Sequence, residues 1–298
     1  MSMNAENTPT LEQDAILDQP LRRVNYEAGM MLGLEASREE QEYHRRRLTR
    51  HQYWLHGSGT LAGMVVSIDP QISSTPDENE TVRILVGPGI GIDGLGREVL
   101  VHEAYCINLG EWLEAQNETT LREGYSDIDN LLWLKVTVRY KDCESGVQPV
   151  LARKLNLGTD PVQPSRMADS VMLEIQSSLP IPDERRYQPW AAHNPIDDAL
   201  PDELTTDEQA LIADASGATA DQLQLHARLL HALNDTDLSA QTVSDELEAG
   251  ARLLLAHIAI DVTDINDILV NPLVIRVNNL VRPFLTTASQ LAYLARQD

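Results

Sequence analysis

The chain has 298 residues, with 46 acidic against 23 basic side chains and a formal net charge of −23. A surface this acidic repels nucleic acid and anionic membranes, so the composition excludes a general nucleic-acid binder. No apolar run approaches the roughly 20 residues of a membrane-spanning helix, and the two cysteines, Cys106 and Cys143, match no zinc or haem spacing. We therefore expect synthesis in the cytoplasm, no conventional signal peptide and no direct membrane insertion.

The chain begins with a polar stretch and continues into a charged helix. Residues 1–35 predict an N-terminal arm, because they start polar and acidic without periodicity. From Ser37 the sequence SREEQEYHRRRLTRHQYWLHG predicts a long helix, since Ser37 and Glu40 form a capping-box pattern and Gly57 follows the end. Two sets of side chains recur at helical spacing. One set is Tyr43, Arg47, Arg50 and Trp54, and the other is Leu48, His51 and Leu55. Together they predict a helix with one packed stripe and one solvated, basic face.

Residues 36–181 predict a β-rich core with this helix at its start. The runs LAGMVVSID, TVRILVGPGIGID and REVLVHEAYCIN are rich in β-branched residues and are separated by the turn sequences SSTPDENE and DGLG. NLLWLKVTVRYKD alternates in the way that is typical of a half-buried strand, and SVMLEIQSSLPIP predicts a further strand.

Residues 182–250 predict a helical insertion, because the composition changes to Ala, Leu, Asp, Glu and Gln, with Thr206, Thr219 and Ser239 as N-cap candidates. Residues 251–298 complete the core with the strands RLLLAHIAID and VNPLVIRV and the helix ASQLAYLARQ. The sequence therefore predicts an α+β fold. Its β-rich barrel or sandwich core is preceded by a long helix and carries a helical insertion and a C-terminal helix.

The segment GPGIGIDGLGR contains the spacing G-x-G-x-x-G at Gly89, Gly91 and Gly94. A dinucleotide site needs a helix after these glycines, whose amides bind the pyrophosphate, but here the strand sequence REVLV follows. We therefore interpret the glycines as turn residues and expect no cofactor. The positions predicted to form structural turns in this region are Gly57, Gly59, Gly63, Gly89, Asp93, Gly96 and Arg97.

The sequence offers no catalytic or metal-binding constellation. His44 and His51 are two helical turns apart, roughly 10 Å at 1.5 Å per residue, so they cannot easily share one ion. Ser58 lies between glycines but lacks the G-x-S-x-G spacing of a nucleophile elbow. We therefore assign no catalytic residue and no metal ligand, and we expect a protein that is not an enzyme.

The densest positive cluster of the acidic chain lies in the long helix, at the sequence HRRRLTR. One interpretation is a solvated face that pairs with the glutamates just before it, which contributes little stability. The other is a surface that docks on an acidic neighbour, including another copy of the chain. Under the second interpretation, the interface residues are Arg45, Arg46, Arg50 and His51.

Two stretches, VNYEAGMMLGLEASREEQEYHRRRLTRHQYWLHGSGTLAGMVVSI and VGPGIGIDGLGREVLVHE, resemble a family found with extracellular contractile injection systems and phage-tail-like particles. VRYKDC and LLLAHIAI are similar to the C-terminal half of that family. A more distant resemblance is to the shell domain of the type VI secretion baseplate protein. The positions that match the family pattern are Val24, Asn25, Tyr26, Gly29, Leu32, Tyr43, His44, Gly57, Gly59, Gly63, Pro88, Gly89, Asp93, Gly96, Arg97 and Glu98.

The resemblance implies a structural adaptor without catalytic activity, which anchors to a baseplate or tail and presents another module. It implies other tail or baseplate proteins as partners, with self-association also open. The particle would be assembled in the cytoplasm and act outside the cell or in association with it. Two alternatives remain: a host-surface or glycan-binding protein at the tail tip, and a metal-dependent hydrolase built on the histidines. The glycan alternative relies on stacking by Trp54, Trp112, Trp133 and Trp190.

Overall fold

The computed structural model describes residues 21–70, 82–149, 162–180, 200–231, 250–262 and 275–296. The chain divides into two compact units, the first made of Met1–Gly57 and Tyr187–Ala249 and the second of Ser58–Arg186 and Gly250–Asp298. The described part of the first unit is helical, whereas the second holds all the described strands and three short helices. This mixture confirms the predicted α+β class. The long helix, predicted to lead the β-core, falls in the unit that also contains most of the predicted insertion.

The described elements are numbered here in chain order. The helices are α1 (Leu34–Leu55), α2 (Leu109–Ala115), α3 (Glu118–Arg122), α4 (Thr206–Asp214), α5 (Ala218–His231) and α6 (Ala288–Leu294). The strands are β1 (Gly59–Gly63), β2 (Val66–Pro70), β3 (Val82–Val86), β4 (Gly89–Ile92), β5 (Glu98–Val101), β6 (Tyr105–Asn108), β7 (Tyr125–Ser126), β8 (Leu131–Pro149), β9 (Val162–Ser177), β10 (Arg252–Asp261) and β11 (Ile275–Asn278). No helix among the described residues has the length and apolar character needed to cross a membrane.

Helix α1 begins earlier than its sequence predicts. Gly33 is the N-cap, with no side-chain hydrogen bond, so the capping box predicted at Ser37 and Glu40 is wrong. Ser37 lies inside the helix and its Oγ donates to the carbonyl oxygen of Gly33 at 3.3 Å. The carboxylate of Glu40 instead accepts a hydrogen bond from the backbone N–H of Val24 at 3.1 Å. The N–H of Ser37, which a capping box would direct to Glu40, donates to the carbonyl oxygen of Gly33 at 3.3 Å, because the helix already runs through Ser37.

Helices α4 and α5 form a small packed pair in the first unit. Thr205, one residue before the predicted Thr206, caps α4 in a reciprocal capping box with Glu208. Helix α5 begins at Ala218, so Thr219 lies inside it, and Ser239 falls outside the described residues. The buried residues between the two helices are Leu204, Ile212 and Ala227, with the half-buried Leu200 and Leu223 against them.

Three antiparallel sheets form the second unit. Their strand orders are β1-β4-β5, β2-β3-β6, and β11-β10-β8 with β9 and β7 on the other side of β8. The described strands thus form open sheets, so the barrel form of the predicted core is not what they build. The predicted alternation of β8 is confirmed on one face, where Leu132, Leu134, Val136 and Val138 are buried. On the other face Trp133, Lys135 and Arg139 are half-buried, but Thr137 is buried as well.

One hydrophobic cluster joins the three sheets. It contains Ile84 from β3, Val99 from β5, Leu134 from β8 and Ile258 from β10, all fully buried, and α2 adds Leu109. Each such side chain contributes on the order of 1.5–3 kcal/mol when it leaves water. The core therefore fixes the sheets against one another and provides a rigid base for the surfaces of this unit. The turn sequence SSTPDENE and residue Trp190 lie outside the described residues.

Candidate protein interaction surfaces

Helix α1 has two opposite faces. Thr49 and Tyr53 are buried and mark its covered face. Of the two side-chain sets predicted from helical spacing, Leu48, His51 and Leu55 are exposed and lie on the opposite face, since they differ from Tyr53 by about half a helical turn. The helix therefore presents an apolar set to solvent and covers a mostly polar one.

The predicted interface residues of α1 separate between these faces. Arg45 and His51 are exposed, whereas Arg46 and Arg50 are half-buried on the covered side. The side chain of Arg46 is only 16% exposed, and its Nη1 lies 3.5 Å from Oε1 of Glu42. Arg47, which is exposed, donates from Nη1 to the hydroxyl of Tyr43 at 2.9 Å. Within the cluster HRRRLTR, the exposed arginines are thus Arg45 and Arg47.

Glu40 links α1 to the segment before it. One carboxylate oxygen accepts from the N–H of Val24, and the other lies 3.0 Å from Nε2 of His44, which donates to it. The rings of His51 and His56 meet edge-on, with centroids 5.2 Å apart. Within the described ranges, no group of three or more His, Cys, Asp or Glu side chains is placed to hold a metal ion. These histidines therefore make ring and carboxylate contacts.

The segment before α1, residues 26–34, exposes large apolar side chains, and we call it the lead segment. Met31 is 98% exposed. The other exposed apolar side chains of the lead segment are Tyr26, Met30, Leu32 and Leu34. The sequence analysis did not assign this surface, although the run GMMLGL, which lacks any charge, was a signal for it. Contiguous exposed apolar side chains of this kind mark interaction sites in soluble proteins.

A second surface is built by the residues after β11, 279–294, which we call the C-terminal strap. Asn279 binds β2 as a neighbouring strand would, accepting from the N–H of Val66 and donating to its carbonyl oxygen, each at 2.9 Å. The buried guanidinium of Arg282 donates from Nη1 to the carbonyl oxygen of Met64 at 2.8 Å and from Nε to that of Asn279 at 3.0 Å. Backbone hydrogen bonds from Thr60 to Pro283 and from Leu285 to Thr60 continue the attachment along β1.

The C-terminal strap leaves an open apolar groove beside β1. The groove has a volume of about 500 Å³ and is lined by residues that include Leu61, Phe284, Leu285, Gln290, Tyr293 and Leu294. Helix α6 has no buried residue, and its Leu291, Tyr293 and Leu294 are exposed. A helix with this sequence gains little from the fold itself, so its apolar side chains remain available to a partner.

The predicted turn glycines occupy tight positions of the fold. Gly57 follows α1 with a φ of 72°, and Gly96 lies in the β4–β5 turn with a φ of 80°. Gly63 and Gly89 face each other across β1 and β4, where a Cβ on either would lie 2.3 Å from backbone atoms. A Cβ on Gly59 would lie 3.0 Å from the backbone of the C-terminal strap, so this glycine allows the strap to approach β1.

The turn from β4 to β5 is held by Asp93 and Arg97. Oδ1 of Asp93 accepts from the N–H groups of Leu95 and Arg97 at 3.0 and 2.8 Å, and Oδ2 accepts from Nε of Arg97 at 2.7 Å. Burial raises the pKa of Asp93, and this effect outweighs the lowering by Arg97 and the N–H groups. A strand follows the glycines rather than a helix, so the turn lacks the helix N-terminus of a pyrophosphate site.

Two further groups have shifted pKa values. Burial lowers the pKa of Arg282. Burial and hydrogen bonding to Asp142 and Asp169 raise the pKa of Tyr140, whose single O–H lies within hydrogen-bond distance of a carboxylate on β8 and of one on β9. These groups act within the fold, because each is satisfied by partners of the same unit.

Comparison with protein-family models found no match for the chain, and comparison with curated proteins found none either.

Proposed function

We propose that the chain is a structural adaptor, without catalytic activity, of a contractile injection system or a phage-tail-like particle. It anchors to the baseplate or tail and presents another module, and its partners are other proteins of the particle. It is synthesised and assembled in the cytoplasm, within a particle that acts outside the cell or in association with it. The sequence resemblance of residues 24–98 supplies the setting of this proposal.

The observation that carries the proposal is the exposure of apolar side chains at two places. The lead segment before α1 contains Met31, almost fully exposed, and the C-terminal strap borders an apolar groove. Surfaces of this type are costly in water and are usually covered by a partner. An adaptor requires at least two such surfaces, because it must attach at one and present a module at the other.

The glycan-binding alternative receives less support from the geometry. The tryptophans that are described, Trp54, Trp112 and Trp133, are each half-buried, and Trp112 packs against the hydrophobic core. A sugar-stacking platform needs an open aromatic face. We therefore prefer the adaptor.

The proposal is tested by deleting the gene and examining the purified particles by electron microscopy. We expect incomplete baseplates or tails that lack a module, and complementation with the intact gene should restore them. Intact, fully functional particles without the protein would refute the proposal.

Incorporation of variants tests the lead segment itself. Met31→Glu with Leu32→Glu should reduce the amount of the chain in purified particles by about tenfold or more, since two charges would enter an apolar contact. Ile128→Glu is the matched control, because Ile128 is equally exposed, at 93%, but lies outside both surfaces. Equal incorporation of both variants would show that the lead segment makes no contact.

A further inference from the structure

The exposed face of α1 and the groove between α4 and α5 are both apolar and carry opposite charges at their edges. The exposed face of α1 carries Leu48 and Leu55, which are 58% and 68% exposed, with His44 and His51 at the helical spacing i, i+4, i+7, i+11. Arg45 and Arg47 flank this stripe on its two sides, and residues 43–55 contain no acid. The face is therefore an apolar stripe with basic edges, on the side of the helix opposite the buried Tyr53.

The groove between α4 and α5 has the opposite charge. It has a volume of about 230 Å³, with Leu204, Ile212 and Ala227 at its base and Leu211, His226 and Leu230 at its rims. Leu211 and Leu230 are 58% and 67% exposed. The acidic side chains of residues 200–231, against the single arginine Arg228, are Asp202, Glu203, Asp207, Glu208, Asp214 and Asp221.

The acids are placed along the groove itself. Asp207, Leu211 and Asp214 follow one another at i, i+4 and i+7 on α4, so two exposed carboxylates bracket the exposed leucine of that rim. The stripe of α1 from His44 to Leu55 is roughly 18 Å long, while α4, with 9 residues, and α5, with 14, are roughly 14 and 21 Å long. The groove therefore shares the apolar character of the stripe and carries the opposite sign of charge.

We propose that α1 of one copy docks into the α4–α5 groove of a second copy of this chain. The charges select this occupant, because the basic edges of the stripe meet the acidic rim of the groove. Elsewhere two copies repel each other, since the whole chain has a net charge of −23. This is helix-in-groove recognition, with Leu48 and Leu55 as the apolar anchors. Because every copy carries both the helix and the groove, the contacts either close reciprocally in a dimer or repeat head-to-tail into a ring or an open filament.

This inference goes beyond the adaptor proposal, since it concerns the purified chain alone. A contact of one helix with one groove lies at the low end of interface sizes, so we expect association in the micromolar range. It should weaken as ionic strength rises, because exposed charges contribute to it.

Sedimentation velocity of the full-length chain tests the proposal. The protein concentration is varied from ~1 to ~200 µM, because this range spans the expected micromolar affinity. The wild-type chain should form oligomers that grow with concentration. Arg45→Glu/Arg47→Glu and Asp207→Arg/Asp214→Arg should each associate at least about tenfold more weakly, because like charges then face each other. Arg122→Glu/Arg166→Glu is the matched control, since both arginines are exposed in the other unit, and it should behave as the wild type.

An equimolar mixture of the two charge-reversed variants gives the decisive measurement. The reversed helix of the first variant then meets the reversed groove of the second, and the unchanged helix of the second meets the unchanged groove of the first, so association should return to within about threefold of the wild type. Circular dichroism checks that each variant is folded. A wild-type chain that stays monomeric at low salt, reversed variants that associate as the wild type does, or a mixture that stays dissociated would each overturn the proposal. None of these results would bear on incorporation into particles.

Discussion

Asp93 and Arg97 form an ion pair in which Oδ2 and Nε lie 2.7 Å apart, with the carboxylate fully buried and the guanidinium side chain 8% exposed. The same carboxylate caps two backbone N–H groups of the β4–β5 turn. The guanidinium also lies over the ring of Tyr140, 5.5 Å from its centroid. The pair thus connects a turn of one sheet to a strand of another.

Arg97→Ala should destabilise the chain strongly, because it leaves the carboxylate of Asp93 buried without its cation. The expected loss in the free energy of unfolding is about 3 to 5 kcal/mol. It is measured by urea unfolding, with a spectroscopic signal that reports on the second unit. Arg276→Ala is the control: its pair with Asp261 is 2.6 Å long but exposed, and its loss should be below about 1 kcal/mol. If both variants lose the same free energy of unfolding, burial does not make the Asp93–Arg97 pair more important to stability than an exposed pair.

The pH dependence of stability should carry the signature of Asp93. Because burial raises its pKa in the folded chain above the ordinary value of 3.8, the folded state binds this proton more tightly than the unfolded state. The stability from this group is therefore present at low pH and is lost as the pH rises through the window above 3.8. The stability of the wild type relative to Asp93→Asn should increase as the pH falls from 7 towards about 4, measured by urea unfolding. If the stability difference between the wild type and Asp93→Asn shrinks on acidification, Arg97 lowers the pKa of Asp93 by more than burial raises it.

Gly89→Ala should cost about 3 kcal/mol or more. Its Cβ would lie 2.3 Å from the backbone nitrogen of Met64, so β1 and β4 would have to separate. Gly57→Ala tests conformation without crowding, since no atom lies within 4 Å of its Cβ and only the φ of 72° is unfavourable. That variant should lose about 1 to 2 kcal/mol in thermal unfolding. The ranking of the two losses is the prediction, and its reversal would refute the close approach at Gly89.

Arg282→Ala should release the C-terminal strap without unfolding the sheets. The guanidinium holds three backbone carbonyl groups, of Gly63, Met64 and Asn279, which would lose these donors. Limited proteolysis with mass spectrometry should show cleavage after residue 279 at least about tenfold faster than in the wild type, since local opening controls the rate. Arg296→Ala, an exposed change near the same terminus, serves as the control. Unchanged cleavage in Arg282→Ala would show that the backbone pairing of Thr60 holds the strap by itself.

The strands were predictable because their signal is local. The apolar residues Leu132, Leu134, Val136 and Val138 recur at every second position and report directly which side of β8 faces the main core, although Thr137 on the other side is buried as well. Capping of α1 was not predictable in this way, because Glu40 binds Val24, a residue that no helix pattern includes. A sequence shows that a glutamate can cap, but not that another donor competes for it.

The candidate surfaces were only partly predictable. Charge patterning found the basic cluster, but it could not separate the exposed Arg45 from the half-buried Arg46, since burial of a helix face depends on its neighbours in space. Anchoring of the C-terminal strap depends on contacts such as that between Asn279 and Val66, which are 213 residues apart. Nothing in the local pattern around either residue signals such a pairing.

The hairpin of β8 and β9 is longer than its neighbour β10, which pairs with β8 only over Leu131–Arg139. Beyond Arg139, β8 pairs only with β9 among the described residues, so within this part of the chain the ribbon leaves both outer edges without a neighbouring strand. Such edges nucleate aggregation, because a strand from another molecule can add to them. Four exposed residues there oppose the addition of another strand: Lys141, Glu144, Pro164 and Arg166. Three of them are charged, and the proline has no backbone N–H to donate. These residues act as gatekeepers, and they allow a long ribbon to remain in water without adding strands from other molecules.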